Sequence, residues 1–469
     1  MNVPSISPAA SPMRRLTTWP MNTPSISTPA SADTRALMKS TAMRAANTAC
    51  SRLIPVRATI SLIRASMLPS TQGARQSPRV CKLCTSDLKR IRVGAIMCPR
   101  TADPGLRWPL LRAGAALLRP FTTRSSPLDE PLHLVPRPQR IERRSGHFSL
   151  SPATLICLPA AAGDDDLFAA RQLQQEILEA TGLKAAIERQ WRPHRAQDTI
   201  VLLRAGRDAA LYPPREFHWE PPERPLPDQA YRLSIGPQGA VVAADSASGL
   251  YYGVQTLRQI VRLHGRQLPR LDIADAPALA ERGVLLDVCR GKVPTLATLK
   301  ELAEKLSFFK INQLQLHNEH AYLFPRHPDI GAGCGRLTNE EMLELDQHCR
   351  RHHVELVPNL QSFGHMRHIL SLPQYQHLAE TELCWSLAPT VPEAYRLLDD
   401  LYADLLPAFS SLQINVNCDE TWDLGQGRSE QRMAEVGPGR LYLEHILRVR
   451  DLVSGYGRRM QMWGDIVLN

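Results

Sequence analysis

From Ala280 to the end of the 469-residue chain, short apolar segments typical of buried strands alternate with amphipathic segments typical of helices. Strands and helices that alternate in this way form βαβ units, whose strands are parallel and whose helices cover the sheet. The predicted strands are Gly283–Cys289, Ile311–Leu316, Val354–Pro358, Leu412–Asn417 and Met460–Ile466. The predicted helices are Leu296–Phe308, Asn339–His352, Val391–Ala408 and Leu441–Ser454. This α/β pattern predicts a (β/α)8 TIM barrel, a fold that places its functional site at the carboxyl ends of its strands.

About five barrel strands can be assigned before Asn469, whereas a closed barrel of this type has eight. We therefore expect the sequence to be a fragment, or the product of a truncated or split gene. An unclosed parallel sheet would expose a backbone edge, and with it the apolar interior expected of a barrel.

A smaller α/β domain is predicted at residues 131–277, before the partial barrel at residues 280–469. The spacing predicts a helix over Leu167–Thr181 that ends at Gly182, because glycine favours the left-handed conformation found at helix C-caps. The other predicted elements are the strands Thr199–Leu203, Tyr231–Ile235 and Ala240–Ala244, the proline-rich loop Pro213–Pro227 and the helix Ser248–Leu263. We expect two helices packed against a mainly antiparallel sheet.

Residues 1–125 differ from the rest of the chain in charge. They contain 19 Lys and Arg against 3 Asp and Glu, whereas residues 126–469 contain 37 and 43. The excess of basic residues lies in residues 1–125, which we call the leader. Residues 126–469 therefore give no reason to expect nucleic-acid binding. Richness in Ser, Thr, Ala, Pro and Arg predicts a disordered leader. A targeting segment or a nucleic-acid-binding arm fits less well, because the leader is too long for a transit peptide and lacks a clear amphipathic helix.

Cysteine spacing and hydropathy indicate neither a cofactor nor a membrane anchor. Cys81 and Cys84 form a lone C-x-x-C pair, and no second pair follows at zinc spacing. His317 and His320 share one predicted loop but lack a complete ligand set, so we expect no metal site. No apolar run reaches the length of a transmembrane helix. No secretory signal is visible either, and the sequence does not indicate a compartment.

Two adjacent acids, Asp419 and Glu420, directly follow the predicted strand Leu412–Asn417. Because side chains along a strand alternate between its faces, one carboxylate can reach beneath a ligand while the other faces a scissile bond. The structural alternative is an Asp that caps the next helix beside a solvated Glu. The pair alone would favour that alternative.

Several other motifs accompany the pair in order along the chain. They are GVLLDVCR at 283–290, KINQLQLH at 310–317, ELVPN at 355–359, SFGH at 362–365, NVNCDETW at 415–422 and MQMWGD at 460–465. In this order and spacing they resemble glycoside hydrolase family 20, the β-N-acetylhexosaminidases. Upstream, PLHLVPRP at 131–138 and SGLYYGVQTL at 248–257 are similar to the non-catalytic α/β domain of that family. The resemblance therefore covers residues 131–469.

The resemblance implies an enzyme that removes terminal β-linked N-acetylglucosamine or N-acetylgalactosamine from an oligosaccharide or glycoconjugate. In that family the 2-acetamido oxygen of the substrate attacks the anomeric carbon, so the protein supplies one acid and one carboxylate for the acetamido N–H. By resemblance, Glu420 is the general acid and later the base, and Asp419 orients the acetamido group. A general acid must keep its proton near neutral pH, which burial or a neighbouring negative charge favours.

The resemblance also implies a substrate-binding role for further residues at the strand ends. Arg290 would donate to sugar hydroxyls, although it can also pair with Asp287. His365 would support the general acid, or be a structural histidine. Trp463 would wall the acetamido pocket, although a lone Trp is more often a core residue. Asp465 is a weaker candidate for the same pocket.

The chain departs from the family pattern after the second barrel strand, where Leu316-His317-Asn-Glu319-His320 stands in place of a His-x-His-x-x-Asp-Asp type run. Glu319 or His320 takes the place of the missing aspartate, either as the partner of the histidine or as a sugar contact. Asn359 and Gln361 stand where the family has acids before Gly-His. These differences affect the expected sugar preference.

Two other functions remain open. The chain could be a non-catalytic remnant of the same fold that only binds sugar, or a conventional glycosidase with two catalytic carboxylates. The latter would cleave substrates that lack the acetamido group equally well.

Overall fold

The computed structural model describes residues 132–191, 195–212, 222–223 and 225–468. The predicted disordered leader at 1–125 lies outside these residues, as does most of the predicted loop Pro213–Pro227.

The first part of the described chain is built on a seven-stranded sheet in the order β1-β7-β5-β6-β4-β2-β3. Its strands are β1 (Arg140–Ser149), β2 (Leu155–Pro159), β3 (Ala186–Gln190), β4 (Thr199–Arg204), β5 (Tyr231–Ile235), β6 (Gly239–Ala244) and β7 (Gln267–Asp275). Pairs β1–β7, β7–β5 and β5–β6 are antiparallel, while β6–β4, β4–β2 and β2–β3 are parallel. The expected mainly antiparallel sheet is therefore corrected to a mixed one, because the sequence pattern missed the parallel strands β2 and β3.

Three helices belong to this sheet: α1 (Asp164–Thr181), the short α2 (Ala205–Asp208) and α3 (Ala247–His264). The predicted end of α1 is confirmed, since Gly182 has a φ of 73° and its N–H bonds to the carbonyl of Leu178. Ser246 caps α3 by accepting a hydrogen bond from the backbone N–H of Gly249. Apolar residues of α1 and α3 share one hydrophobic core with alternate residues of the sheet, such as Ile156 and Leu202.

The second part contains five short strands in sequential order. They are β8 (Gly283–Asp287), β9 (Gln313–His317), β10 (Glu355–Val357), β11 (Gln413–Asn415) and β12 (Arg459–Gln461). Pairs β8–β9, β9–β10 and β11–β12 are parallel, and a parallel bridge between Asn359 and Asn415 joins β10 to β11. All five predicted barrel strands are present, each shorter than the sequence pattern suggested.

Helices follow the strands as the alternation predicted. They are α4 (Leu296–Phe308), α5 (Asn339–Arg351), α6 (Arg367–Leu370), α7 (Pro392–Leu405), α8 (Glu430–Val436), α9 (Pro438–Gly455) and α10 (Asp465–Leu468), with 3-10 turns at Ala209–Leu211, Gln376–Leu378 and Leu406–Ala408. The predicted strand Met460–Ile466 is wrong at its end, because the chain leaves the sheet after Gln461 and turns into α10.

The two faces of the parallel sheet differ in chemistry. Leu314, Leu316, Ile414 and Val416 point toward the helices and belong to the hydrophobic core. The alternate residues face the interior, and most of them are amides. The interior amides are Gln313, Gln315, Asn359, Gln413, Asn415, Asn417 and Gln461. The apolar barrel interior that the sequence analysis expected is therefore replaced by a hydrogen-bonded amide network.

Side chains from the two parts meet in a buried interface. The Tyr251 hydroxyl on α3 lies 2.6 Å from Ser307 Oγ on α4 and 3.2 Å from His352 Nδ1. Lys310 Nζ donates to the Tyr231 hydroxyl at 3.0 Å and lies 3.6 Å from Asp275 Oδ2. These contacts orient the partial barrel against the seven-stranded sheet.

Among the described helices, none combines the length and the apolar character needed to cross a bilayer.

Candidate active site

The carboxyl ends of the five parallel strands bring together polar side chains from five separate segments. They are Asp287 at the end of β8 and Arg290 after it, His317 at the end of β9 with Glu319 and His320 after it, Gln361 and His365 after β10, Asp419 and Glu420 after β11, and Trp463 after β12. This is the position at which the barrel pattern predicts a functional site.

The loop that carries the two acids has an unusual backbone. Asn417, Cys418 and Glu420 have φ angles of 58°, 62° and 51°, in the left-handed region that side chains disfavour. Neighbouring side chains hold this conformation, since the Tyr442 hydroxyl donates to the Cys418 carbonyl at 2.8 Å and Trp385 Nε1 to the Glu420 carbonyl at 2.6 Å. Backbone strain of this kind clusters at functional sites.

Gly364 allows a second loop to approach the acids closely. A Cβ atom at this position would lie 2.3 Å from the Asp419 carbonyl oxygen, which is far inside contact distance. The next residue, His365, has a φ of 59°. The glycine in the Ser-Phe-Gly-His motif is therefore required by backbone packing against Asp419, and this packing places His365 beside the acids.

His365 contacts both carboxylates through one nitrogen. Its Nε2 lies 3.2 Å from Glu420 Oε2 and 3.5 Å from Asp419 Oδ2. Gln361 Nε2 donates to Asp419 Oδ1 at 3.0 Å. Burial opposes ionisation of Asp419, but the hydrogen bonds from His365 and Gln361 prevail and hold its pKa below the ordinary value. Asp419 is therefore an oriented, ionised carboxylate at neutral pH.

Glu319 joins Arg290 to His365. Its Oε1 lies 3.3 Å from Arg290 Nη2, 3.5 Å from His317 Nε2 and 3.6 Å from His365 Nδ1. Burial favours the neutral form of Glu319, yet the hydrogen bond from His317 and the charge of Arg290 lower its pKa. Of the two residues that could replace the missing aspartate, Glu319 is the one that contacts His365.

Arg290 forms the ion pair with Asp287 that its sequence position also allowed, since its Nε lies 2.8 Å from Asp287 Oδ2. Its side chain is nevertheless 55% exposed, so part of the guanidinium still faces solvent. The ion pair with Asp287 and an exposed donor surface therefore coexist.

His320 points to another part of the site. It is buried, and its ring lies 4.0 Å from the ring of His368 on α6. Burial and the nearby His368 lower the pKa of His320. Its Nδ1 has no hydrogen-bond partner among the described residues.

Aromatic side chains border the acids. Trp463 is half-buried, and its Nε1 donates to Asn417 Oδ1 at 3.1 Å. The Trp385 ring lies 4.6 Å from the His365 ring and stacks on Trp422, with ring centroids 5.3 Å apart. Trp463 thus lies next to the loop that carries the two acids.

Asp465 is exposed at the start of α10 and forms no hydrogen bond or ion pair within the described ranges. Its charge acts on Tyr442, the residue whose hydroxyl donates to the Cys418 carbonyl. The predicted strand ends before Asp465, which therefore lies in a helix rather than in β12.

Sequence reasoning missed three contributors to the site. Trp385 lies in a loop and His368 on the short helix α6, both without a recognisable motif, and Gln361 was noted only as a substitution for an acid. No local pattern signals Trp385 or His368, because each reaches the site through the packing of loops that follow β10.

Two family models match the chain. The model described as "Glycosyl hydrolase family 20, domain 2" matches residues 132–276, and the one described as "Glycosyl hydrolase family 20, catalytic domain" matches residues 280–469.

Curated relatives include a protein named beta-hexosaminidase from Vibrio furnissii, which is 26% identical over 77% of this chain and 62% of its own length. A second beta-hexosaminidase, from Porphyromonas gingivalis, is 22% identical over 81% of this chain and 50% of its own length. The chain thus spans between half and two thirds of these relatives.

A solved structure of the chitobiase of Flavobacterium johnsoniae superimposes with a TM-score of 0.59 at 18% sequence identity. The match covers 71% of this chain and 52% of that one. At this identity the likeness establishes the fold, which is a TIM-barrel-like α/β fold with an N-terminal α/β domain.

Proposed function

This chain belongs to glycosyl hydrolase family 20, and on that premise we propose that it removes terminal β-linked N-acetylhexosamine from oligosaccharides or glycoconjugates. The relatives named beta-hexosaminidase support this activity. The observation that carries the proposal is the pair Asp419 and Glu420, which share contacts with His365 at the strand ends.

The proposed mechanism uses the acetamido group of the substrate as the nucleophile. Asp419 accepts a hydrogen bond from the acetamido N–H and so directs the acetamido oxygen at the anomeric carbon. Glu420 donates its proton to the glycosidic oxygen, and the bond to the leaving group breaks as an oxazolinium ion forms. Glu420 then deprotonates a water molecule that attacks the anomeric carbon and restores the acetamido group.

Asp419 is suited to its part because it is already ionised and oriented. Gln361 occupies its Oδ1, and His365 lies beside its Oδ2. Its side chain is 19% exposed, and that of Glu420 is 27% exposed, so both remain accessible from solvent. A preorganised carboxylate spends little free energy on reorientation during the reaction.

We assign the neighbouring side chains to substrate binding. The exposed part of Arg290 would donate to hydroxyls of the terminal sugar, because a guanidinium matches paired oxygens. Glu319 would hold Arg290 and His365 in place, and Trp463 would pack against the acetamido methyl group. His320 and Asp465 are assigned more distant sugar contacts.

The domain limits are also part of the proposal. We assign residues 131–277 to the non-catalytic α/β domain and residues 280–469 to the catalytic domain. Strands β8–β12 would be the first five strands of an eight-stranded (β/α)8 barrel.

Replacing Glu420 by Gln tests the assignment of the acid. The purified variant should lose turnover of an aryl N-acetylglucosaminide by roughly 10²–10⁴-fold, because the amide cannot donate a proton. An oxazoline-mimicking inhibitor should still bind, since Asp419 is intact. The exposed Glu382 provides the matched control, and its replacement by Gln should leave turnover unchanged. Retained activity in the Glu420 variant would show that the acid is elsewhere.

The same preparation separates the other functions. Sugar binding and cooperative unfolding without turnover in the unmodified chain would indicate a non-catalytic binding protein. Equal cleavage of the corresponding glucoside, which lacks the acetamido group, would indicate a conventional pair of catalytic carboxylates. The proposed mechanism requires turnover that depends on the acetamido group.

A further inference from the structure

Two histidines and a glutamate converge at the edge of the site. Glu319 and His320 follow β9, and His368 lies on α6, which follows β10. One ligand atom from each residue lies within 4.8 Å of the ligand atoms of the other two. The loop after β9 alone lacks a complete ligand set, which is why its sequence predicts no metal site, and the third ligand comes from α6.

His320 is the part of this cluster that lacks a partner in the protein. The residue is 4% exposed, and its Nδ1 forms no hydrogen bond within the described part of the chain. A buried polar nitrogen without a partner loses its hydration and gains nothing in return, so such atoms normally have a ligand or a hydrogen bond. The rings of His320 and His368 lie 4.0 Å apart, which leaves their nitrogens near one another.

The surroundings favour a cation that can enter from solvent. His368 is exposed, whereas Glu319 and His320 are buried, so the cluster opens toward the surface on one side. The carboxylates of Glu319 and Asp287 act on His320 electrostatically. Arg290 contacts both acids, and because its side chain is 55% exposed, a metal ion at Glu319 can displace the guanidinium toward solvent.

We propose that Glu319, His320 and His368 bind a divalent transition-metal ion such as Zn²⁺. Two imidazoles and one carboxylate form the ligand set of open zinc sites, in which water fills a fourth position. Mg²⁺ and Ca²⁺ do not match this site, because they prefer sets made of oxygen ligands.

The bound ion would compete with the present contacts of Glu319. Its Oε1 lies 3.3 Å from Arg290 Nη2 and 3.6 Å from His365 Nδ1. Coordination draws the carboxylate toward the metal and weakens both contacts, so Zn²⁺ inhibits the hydrolase. This inhibitory consequence depends on the proposed function, whereas the binding itself does not.

A second cluster in the described chain, Glu304, His348 and His352, has a similar composition. The charges of Lys300, Arg258 and Arg351 act on its histidines. His352 Nδ1 already contacts the Tyr251 hydroxyl at 3.2 Å. Cationic neighbours disfavour a metal ion there, and this cluster therefore serves as the internal control.

Binding is measured with Co²⁺ by visible absorption and with Zn²⁺ by titration calorimetry, on the full chain. Thiolate ligands give an intense near-ultraviolet band, so the Co²⁺ spectrum separates this site from metal bound by cysteines. Replacement of the exposed His368 by Ala should weaken binding at least about tenfold, since even the loss of outer-shell partners costs 10–100-fold. Replacement of His348 by Ala should leave the affinity unchanged. Unaltered binding in the His368 variant, or a loss confined to the His348 variant, would overturn the assignment.

Turnover measured with added Zn²⁺ tests the inhibitory consequence. Zn²⁺ should inhibit the unmodified chain and the His348→Ala variant, but its inhibitory concentration should rise at least about tenfold in the His368→Ala variant. Metal binding without inhibition would refute competition for Glu319. If the chain has no turnover at all, the proposed function fails, while the spectra and calorimetry still decide whether the metal site exists.

Discussion

At the scale of single residues, His365 is distinguished by the three carboxylates that surround its ring. Its Nδ1 lies beside Glu319, and its Nε2 lies beside Asp419 and Glu420. Burial disfavours its charged form, but the hydrogen bond and charge of Asp419, together with the other two carboxylates, raise its pKa. Because the pKa of His365 is raised in the folded chain, its protonated ring contributes its full stabilisation at pH values below the ordinary pKa of 6.5. That stabilisation is lost as the pH rises through the folded-state pKa.

Replacement of Asp419 by Asn should therefore lower the pKa of His365. We expect a decrease, because an amide removes one of the two negative charges beside His365 Nε2 and the hydrogen bond that the Asp419 carboxylate accepts from this histidine. The titration is followed by NMR of the histidine ring protons, and a His365→Gln variant identifies the resonance. An unchanged pKa would mean that Glu319 and Glu420, rather than Asp419, determine the protonation of this histidine.

The sequence could predict which acids and which histidine meet, because strand order and motif spacing place them at one sheet edge. Asp419, Glu420, His365, Glu319 and Arg290 form one connected set of contacts. Sequence could not predict Trp385, whose contact with the Glu420 carbonyl arises from a long loop of irregular structure. At Asp465 the sequence misjudged only the local structure, since the predicted strand ends at Gln461 and this residue begins helix α10.

At the scale of elements, helices were more predictable than strands. The limits of α4 equal the predicted ones, because Thr295 caps its start and the apolar spacing persists to Phe308. Strand β1 was missed because most of its residues are exposed and polar, so no alternation marks it. β1 is an edge strand that is held by its backbone pairing with β7 rather than by burial of its side chains. The hydropathy pattern of the sequence gives no sign of that pairing.

The alternating Gln-Leu-Gln-Leu-His sequence of β9 explains the amide network inside the sheet. Its leucines face the helices, while Gln315 faces the interior and bonds to side chains of three other segments of the sheet. Gln315 Oε1 accepts from Asn359 and Asn415 at 3.2 and 2.9 Å, and its Nε2 donates to Gln461 Oε1 at 3.0 Å. The network therefore fixes the register of strands whose own ladders are only three residues long.

Replacement of Gln315 by Leu should destabilise the chain despite the added apolar surface. Each amide left without a partner costs about 1–3 kcal/mol, and three partners are affected. Urea unfolding measures the free energy, with the exposed Gln374→Leu variant as a control expected to change it by less than about 0.5 kcal/mol. A Gln315→Leu variant as stable as the unmodified chain would show that the interior tolerates apolar packing.

At the scale of the whole molecule, the seven-stranded sheet supports the partial barrel through buried polar contacts. Lys310, in the loop before β9, has a φ of 61° and extends its side chain to Tyr231 and Asp275 of the sheet. It is 4% exposed, which is rare for a lysine. The two parts therefore share an interface whose stability depends on a buried charge.

This buried lysine predicts how the stability of the chain depends on pH. Burial lowers the pKa of Lys310 to about 8 from 10.5, despite the opposing charge of Asp275. Below pH 8 the ammonium is charged in both the folded and the unfolded chain, and its burial destabilises the fold by a constant amount. Between pH 8 and 10.5 the unfolded chain binds more protons, so this contribution makes the fold more stable as the pH rises.

Comparison of the unmodified chain with a Lys310→Met variant isolates that effect, because other titrating groups are common to both. The difference in unfolding free energy should shift in favour of the unmodified chain above pH 8, by at most about 1.4 kcal/mol per pH unit. Urea midpoints from neutral to alkaline pH provide the measurement, and the exposed Lys305→Met variant should show no such shift. Parallel curves for the unmodified chain and the Lys310→Met variant would mean that Lys310 keeps its proton through this range, with Asp275 compensating its burial in full.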